Sequence, residues 1–152
     1  MIHDSFLLKR LGIETVPYDW RIEPLSEVVY KGKPIVYGIV QAGPHVEGGI
    51  PYIKSTDVNS PLVLEDLQRT SAEIAGKYKR SEVGPGDIVF SLRGNIGESC
   101  IVPNSIALAN LTQGTARLSV NGSHVNVFVR YALSSTPVQR QIYAYGKGST
   151  FK

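Results

Sequence analysis

The stretch SEVGPGDIVFSLRGNIG, residues 81–97, carries the strongest local structural signals in this sequence. Its Gly-Pro-Gly-Asp segment, residues 84–87, predicts a turn, because Gly tolerates positive φ and Asp hydrogen-bonds nearby backbone. The apolar, β-branched run at residues 87–92 predicts a short strand. Arg93 follows that strand and precedes a Gly-x-x-Gly loop at residues 94–97. We therefore expect a rigid strand with an arginine directly after its last residue. The glycine-containing loop that follows carries few side chains.

Working outward, the same signals recur in short segments. Strands are predicted at residues 34–40, 50–58, 99–103 and 115–120, with a turn at 121–123. A helix is predicted from Asp4 through Leu11, and another, capped by Thr70 or Ser71, through Tyr78. Residues 125–146 show helical spacing in two halves, the second begun by Pro137 and ended by Gly146. Trp20 is expected to seal the core. Many short strands with late helices predict an α+β fold, a single mixed domain with a twisted, barrel-like β-sheet.

Composition sets broad limits on this chain. Its 152 residues are one domain's worth, and 42% hydrophobic content with 15 Gly and 9 Pro indicates a globular, turn-rich protein. The apolar runs are far shorter than the ~18 residues of a membrane span, and no secretory signal is visible. The single cysteine, Cys100, excludes an internal disulfide and fits a reducing compartment. We therefore expect a cytoplasmic protein.

The charge is unevenly distributed. The net charge is only +3, but no acidic residue follows Glu98, whereas Arg117, Arg130, Arg140, Lys147 and Lys152 all lie beyond it. An acid-free third of a chain favours a polyanionic partner. A basic surface that serves solubility is the alternative.

Catalytic motifs are missing from the sequence. His3, His45 and His124 are scattered in predicted loops or termini, without the spacing of a zinc site. Cys100 has no basic partner close in sequence, so we interpret it as a small buried hydrophobe. Asp87 is interpreted as a turn residue. Gly-x-Ser-x-Gly and phosphate-binding loops are absent, and we expect neither a metal site nor catalysis.

Three basic segments favour nucleic-acid binding instead. Residues 94–97 match the GxxG loop of KH domains, although that loop joins two helices and here it joins predicted strands; a plain hairpin turn is the alternative. Glycine would still let a nucleic acid approach closely, while Asn95 could bond a base edge and Arg93 could bind guanine or phosphate in a bidentate manner. KYKR, residues 77–80, could bind DNA or simply complement a helix dipole. YAYGKGSTFK, residues 143–152, interleaves aromatic, basic and hydroxyl side chains that suit backbone contacts.

Taken in order, several motifs resemble one family. They comprise Trp20 with LSEV (25–28), GIPYIKSTDV (49–58), the stretch 81–97, NLTQGTAR (110–117) and GKGST (146–150). This set is similar to the target recognition domain of type I restriction-modification specificity subunits. The resemblance implies a mixed fold, similar to the small domain of some adenine-specific DNA methyltransferases. It also implies that residues 20–152 form the recognition domain, after a helical lead-in at residues 1–19.

The resemblance further implies a role. Such domains recognise one half of a bipartite double-stranded DNA target, without catalysis, for a methyltransferase subunit that binds S-adenosylmethionine and a restriction subunit. The family's spacer helices and second recognition domain have no counterpart before Lys152. We interpret the chain as a DNA-binding domain with no cofactor of its own. A module that docks on the methyltransferase without binding DNA is the alternative, and a nuclease or methyltransferase fragment is a third.

The candidate contacts fall into two groups. The base-reading candidates are Arg93, Asn95, Gln113, Thr115, Lys54, Ser55 and Thr56. The candidates for contacts to the DNA backbone are Lys77, Tyr78, Lys79, Arg80, Lys147, Ser149, Thr150 and Lys152.

Overall fold

A computed structural model describes Lys9, Gly12, Ile13, Val16, Pro17 and residues 19–145, the last without its side chain. Most of the helix predicted from Asp4 through Leu11 lies outside the described residues, as do Gly146 and the C-terminal segment. Within them the helices are α1 (Leu25–Val28), α2 (Ala72–Lys77), α3 (Asn126–Leu133) and α4 (Thr136–Tyr145). The strands are β1 (Val36–Tyr37), β2 (Ile50–Ile53), β3 (Arg69–Thr70), β4 (Glu82–Val83), β5 (Ile88–Ser91), β6 (Ser99–Ile101), β7 (Ala109–Leu111) and β8 (Thr115–Leu118). Short 3-10 turns occupy Leu64–Asp66 and Lys79–Ser81.

The strands form two sheets of four. Sheet A has the order β1-β8-β5-β6 and is antiparallel throughout. Sheet B has the order β3-β2-β7-β4, with β2 and β7 parallel and the outer pairs antiparallel. The predicted α+β class is confirmed, while the described strands divide between two sheets and do not close into a barrel.

The two sheets are joined where the chain leaves β1. The Ile39 amide donates to Leu111 O (2.6 Å) and the Gln113 amide donates to Ile39 O (2.9 Å), which ties β1 of sheet A to the end of β7 in sheet B. Gly38 allows this approach, since a Cβ there would lie 1.8 Å from the Leu111 carbonyl oxygen. The junction therefore depends on a residue without a side chain.

The core lies under both sheets. The larger cluster gathers buried residues of β2, β4, β5 and β7, together with loop residues such as Leu67, Val102 and Ile106. A smaller cluster packs Ile88 and Leu118 of sheet A against Val129 and Leu133 of α3. The expectation that Trp20 seals the core is wrong. Trp20 is half exposed because its ring packs edge to face on Phe128, with ring centroids 5.7 Å apart, and Phe128 is itself half exposed on α3.

Turn and cap chemistry explains several element boundaries. Asp87 accepts a hydrogen bond from the Gly84 amide (2.9 Å) and another from the Ser119 hydroxyl (2.6 Å), which confirms it as a turn residue. Ser71 caps α2 by accepting from the Ile74 amide (3.2 Å), and Pro137 stands at the second position of α4, as expected. The strand predicted at residues 50–58 ends earlier, at Ile53. The Asp57 carboxylate accepts from the Lys54 amide (2.8 Å) and turns the chain there.

Other predicted strands are also shorter than expected. The segment 34–40 pairs only at Val36–Tyr37, with an isolated bridge at Ile39, and 115–120 ends at Leu118, with a bridge from Val120 to Val29. The strand predicted at 99–103 pairs only over Ser99–Ile101. Strand β7 was not expected, because ANL is too short a run to signal a strand on its own.

Candidate nucleic-acid interface

Three loops meet at one end of the two sheets. They are residues 54–57 after β2, 92–98 between β5 and β6, and 112–114 between β7 and β8. Gly114 lies at their meeting point. A Cβ built there would stand 3.4 Å from Ser55 Oγ and 3.7 Å from the Arg93 Cβ. We call these three loops the loop face, and it brings together six of the base-reading candidates predicted from the sequence, with the seventh at the start of β8.

The loop that carries Arg93 and Asn95 is held firmly at its base. The Ser91 amide donates to Glu98 O (2.9 Å), and the Ser91 hydroxyl donates to Arg93 O (2.9 Å). Gly94 and Gly97 adopt φ values of +70° and +98°, which other residues adopt only with strain. The Leu92 amide donates to Gly114 O (2.8 Å), which fastens this loop to its neighbour.

Helix α4 braces the same loop from behind. The Gln139 side-chain amide donates to Gly97 O (3.1 Å) and to Leu133 O (2.7 Å). Because this amide links the loop to the junction of α3 and α4, the position of Arg93 is set partly by the C-terminal helices.

The tip of the loop presents unused hydrogen-bonding groups. Arg93 and Asn95 are exposed, and neither side chain is hydrogen-bonded or ion-paired to any residue that the structure describes. A guanidinium offers donors in a planar fork, and a carboxamide offers both donor and acceptor. These groups match the hydrogen-bonding patterns on base edges in a DNA groove.

The loop at residues 54–57 is a self-contained turn. The Asp57 amide donates to Lys54 O (3.0 Å), while the Asp57 carboxylate accepts from the Lys54 amide and lies 3.9 Å from the Lys54 ammonium. Thr56 is exposed at the tip, with its hydroxyl 3.3 Å from Asp57 Oδ1. Ser55 is half-buried against Gly114. The Lys54 charge is thus partly balanced within its own turn.

The two base-reading candidates near the start of β8, Gln113 and Thr115, differ in burial. Gln113 is half-buried on the loop, with its amide bonded to Ile39 O. Thr115 is fully buried, and its hydroxyl donates to Thr112 O (3.0 Å) and lies 3.4 Å from Ile53 O. The structure therefore gives Thr115 a supporting position under the loop, with no surface for a base to meet. We do not keep Thr115 among the proposed base contacts.

The loop face is nearly balanced in charge. Lys54 and Arg93 are accompanied by Asp57 and by the exposed Glu98. A surface with little net charge is poorly suited to hold phosphates by electrostatics alone, and it suits directional hydrogen bonds to bases better.

A separate cationic segment runs from the end of α2 through the following 3-10 turn. Lys77, Lys79 and Arg80 are exposed there, and Tyr78 is half-buried. Tyr78 anchors the turn through its carbonyl, which accepts from the Asn110 side chain (3.2 Å) and from the Ser81 amide (2.8 Å). The segment is thereby fixed to strand β7 of sheet B.

The cations of this segment differ in their partners. The Lys77 ammonium lies 2.8 Å from the Glu73 carboxylate, one helical turn earlier. This hydrogen bond lowers the pKa of Glu73 and raises that of Lys77, although both groups are in solvent. Lys79 and Arg80 have no side-chain partner among the described residues. They are the more available backbone candidates, whereas Lys147, Ser149, Thr150 and Lys152 lie outside the described residues.

The cysteine and two of the histidines lie in defined surroundings. Cys100 is half-buried opposite Val89, and burial raises its thiol pKa to about 12, as expected of a small hydrophobe. His45 accepts from the Arg69 amide (3.2 Å), and His124 contacts Asn121 and Glu23. In the part of the chain that the structure describes, no group of His, Cys, Asp or Glu is placed to hold a metal ion. None of the helices described there is long and apolar enough to cross a membrane.

The burial of Asn110 and Arg117 was not predicted from the sequence. Asn110 is fully buried and donates to Tyr78 O, so it positions the cationic segment. Arg117 is 5% exposed in the middle of β8. Its signal in the sequence was an arginine among the apolar residues of TARL, which is an unusual place for a solvated charge.

Comparison with solved structures identifies the fold. No family model matches the sequence. The fold matches that of an HsdS subunit from Thermoanaerobacter tengcongensis, with a TM-score of 0.62 and 18% identity over 91% of this chain and 34% of that one. A second match, with a TM-score of 0.52 and 18% identity over 95% of this chain and 43% of the other, comes from a structure of type I R-M system assembly. The chain therefore shares its fold with part of each of these two solved chains.

A comparison of sequences finds a relative with higher identity than these two structures. The chain is 31% identical over 141 residues to the type I restriction enzyme EcoBI specificity subunit of Escherichia coli, which covers 90% of this chain and 30% of that protein. The chain is therefore related in sequence and fold to type I specificity subunits, and the resemblance to their target recognition domain is confirmed. It spans less than half the length of each of these relatives.

Proposed function

We propose that this chain recognises a specific sequence of double-stranded DNA, as one half of the bipartite target of a type I restriction-modification complex. The observation that supports this most directly is the loop face. Arg93 and Asn95 stand there at the tip of a braced loop, exposed and without partners among the described residues. The likeness of the chain to a specificity subunit and to an HsdS subunit also supports the proposal.

The contacts divide by position. Arg93 and Asn95 form base contacts, supplemented by Gln113 and by Lys54, Ser55 and Thr56 of the neighbouring loop. Lys79 and Arg80, with Lys77 and Tyr78 beside them, contact the DNA backbone. The segment with Lys147, Ser149, Thr150 and Lys152 is a further proposed backbone contact. Residues 20–152 serve as the recognition domain in this proposal.

The chain acts without catalysis in this proposal. A methyltransferase subunit supplies S-adenosylmethionine and the methyl transfer, and a restriction subunit joins the same cytoplasmic complex. Because one recognition domain buries limited surface, we expect weak binding to DNA in the absence of these subunits. The affinity should fall steeply as salt increases, since counterions are released on binding.

The decisive experiment separates base contacts from backbone contacts. A preferred duplex is first selected from a random pool by the chain together with the methyltransferase subunit. Binding of the Arg93→Ala and Lys79→Ala variants is then compared on that duplex and on single-base mismatches by fluorescence anisotropy. We expect Arg93→Ala to lower discrimination at one position by about 5- to 150-fold, the equivalent of 1–3 kcal/mol. Lys79→Ala should weaken binding to all duplexes equally.

Two results would contradict the proposal. If Arg93→Ala keeps full discrimination at every position, Arg93 is not a base contact. If no duplex binds at low salt, with or without the methyltransferase subunit, the chain is an interaction module that does not bind DNA. Arg21→Ala, which removes an exposed arginine that lines a different pocket and belongs to none of the three loops, serves as the matched control and should bind like the unmodified chain.

A further inference from the structure

A cleft of about 820 Å³ opens beside the edge of sheet A. It lies between the turn that precedes β1, the cationic segment and the loops before β5 and β7. Arg117 forms part of its floor, and Lys33, Lys79 and Arg80 are exposed at its rim. Glu82 is the acidic residue that lines it.

Arg117 is held in an unusual way. Its Nη1 donates to Glu82 O and its Nη2 to Pro34 O (3.3 Å), both of which are main-chain carbonyls. Its Nε is buried and has no hydrogen-bond partner within the described part of the chain, where no carboxylate pairs with this guanidinium. A buried charge that lacks a counter-ion is costly. An anion in the cleft would offset that cost.

The rim takes its positive charge from two segments of the chain. Lys79 and Arg80 come from the cationic segment and have no side-chain partner among the described residues. Lys33 comes from the turn before β1, and its ammonium lies 3.8 Å from the Asp87 carboxylate. The four cations Lys33, Lys79, Arg80 and Arg117 exceed the two carboxylates Glu82 and Asp87, so the charges at the cleft sum to +2.

The cleft continues as a groove toward the loop face. Val36 and Arg80 line both the cleft and a second groove that runs beside Tyr37, Gly38 and Val40. Ile39, between Gly38 and Val40, is hydrogen-bonded to Gln113 of the loop face. The groove therefore runs from the cleft along β1, next to the residue whose main chain is bonded to the loop face.

We propose that this cleft is a phosphate-binding site, with Arg117 as its floor and Lys33, Lys79 and Arg80 as its rim. Guanidinium and ammonium groups recognise phosphate through charge-assisted hydrogen bonds. The inference rests on the proposed function for its source of phosphate, a phosphodiester of the DNA backbone beside the bases that the loop face reads. A free phosphate offers the same chemistry, but only a DNA phosphodiester would make the cleft contribute to the salt dependence of DNA binding.

The first experiment measures the anion site without DNA. The side-chain Nε–Hε resonance of Arg117, assigned through an Arg117→Lys variant, is followed by NMR during titration with inorganic phosphate at constant ionic strength. We expect saturable shifts of Arg117 and of the Lys79 and Arg80 amides, and their loss in a Lys79→Gln/Arg80→Gln variant. Equal, non-saturating responses to phosphate and chloride would overturn the site.

The second experiment tests the DNA backbone as the source of phosphate. The Lys79→Gln/Arg80→Gln variant is compared with Arg21→Gln, which removes one exposed positive charge that does not line the cleft. We expect the slope of log affinity against log salt to fall by about 2 in the cleft variant, roughly 1 for each cation that contacts a phosphate. The Arg117 resonance should shift when duplex is added, and Arg21→Gln should keep the original slope.

The outcomes separate the two proposals. If discrimination by Arg93 is found but the cleft variant keeps its salt slope and Arg117 does not respond to duplex, the cleft proposal fails and the proposed function stands. If no duplex binds but inorganic phosphate shifts Arg117 saturably, the proposed function fails and the cleft is a site for free phosphate.

Discussion

Two arginines with similar sequence surroundings differ in how far they are buried. Arg93 and Arg117 each have apolar neighbours in the sequence. Arg93 is exposed in a loop, whereas Arg117 is only 5% exposed within β8. The difference follows from position relative to the strand end. Arg93 comes after the last paired residue of β5, whereas Arg117 pairs with both Val36 and Val89 in the middle of sheet A. A side chain in a central strand has to find its partners within the protein.

Cys100 carries a prediction about pH at this scale. Burial raises its thiol pKa from 9.0 to about 12 in the folded chain. The unfolded chain therefore loses this proton at lower pH than the folded chain, so stability is fully present below pH 9 and declines as the pH rises from 9 toward 12. We expect the urea midpoint to fall between pH 8 and pH 10.5, and to fall less in Cys100→Ala. Identical pH dependence in the two proteins, measured by circular dichroism, would contradict this assignment.

At the scale of elements, the β5–β6 hairpin shows how a flexible sequence becomes a defined loop. Two glycines with positive φ shape its turn, and the Gln139 amide of α4 fixes it at Gly97 O. The main chain of the loop is thus fixed by hydrogen bonds at its base, while the side chains at its tip are exposed. That combination suits a group that has to meet a ligand in a defined orientation.

A pair of glycine substitutions tests this arrangement. Gly94→Ala meets no atom within 4 Å and should cost only the strain of positive φ, about 1 kcal/mol. Gly97→Ala carries similar strain and also places a Cβ 2.3 Å from Gln139 Oε1, so it should displace that side chain and cost about 1 kcal/mol more. Urea unfolding of both variants checks the order. Equal stabilities would show that the Gln139 contact does not brace the loop.

At the scale of the whole molecule, the loop face exists because two sheets end at the same place. Loops 54–57 and 112–114 come from sheet B or its exit, and loop 92–98 comes from sheet A. The backbone contact of Gly38 and Ile39 with Leu111 and Gln113 joins the sheets. The position of Arg93 relative to Ser55 depends on this junction together with the hydrogen bond from the Leu92 amide to Gly114 O.

Gly38→Ala should break the junction. Its Cβ would lie 1.8 Å from Leu111 O and 2.2 Å from the carbonyl carbon, and neither backbone atom can move alone. We expect a loss of about 3 kcal/mol or more in stability, or failure to fold. Gly122→Ala, which meets nothing within 4 Å, is the matched control and should change stability by less than about 0.5 kcal/mol. A Gly38→Ala variant as stable as Gly122→Ala, by thermal melting, would exclude the proposed junction.

The sequence by itself determined the local structure and the class of protein. The Asp87 turn, strand β5, the Ser71 cap and the start of α4 at Pro137 depend on residues close in the chain, and each was predictable. The order of motifs from LSEV to GKGST indicated a type I recognition domain, which the comparisons confirmed. These signals depend on neighbouring residues or on the order of motifs along the chain, so they can be recognised without a structure.

Only the tertiary structure decided which residues share a surface. Residues 55, 93 and 114 are distant in sequence, and nothing in their local patterns states that β2 and β7 run parallel or that β1 crosses to sheet B. The same long-range pairing buried Thr115, exposed Trp20 and placed Arg117 beneath Lys79 and Arg80. Side-chain burial depends on what packs above a residue, and that is decided by contacts between elements far apart in the chain.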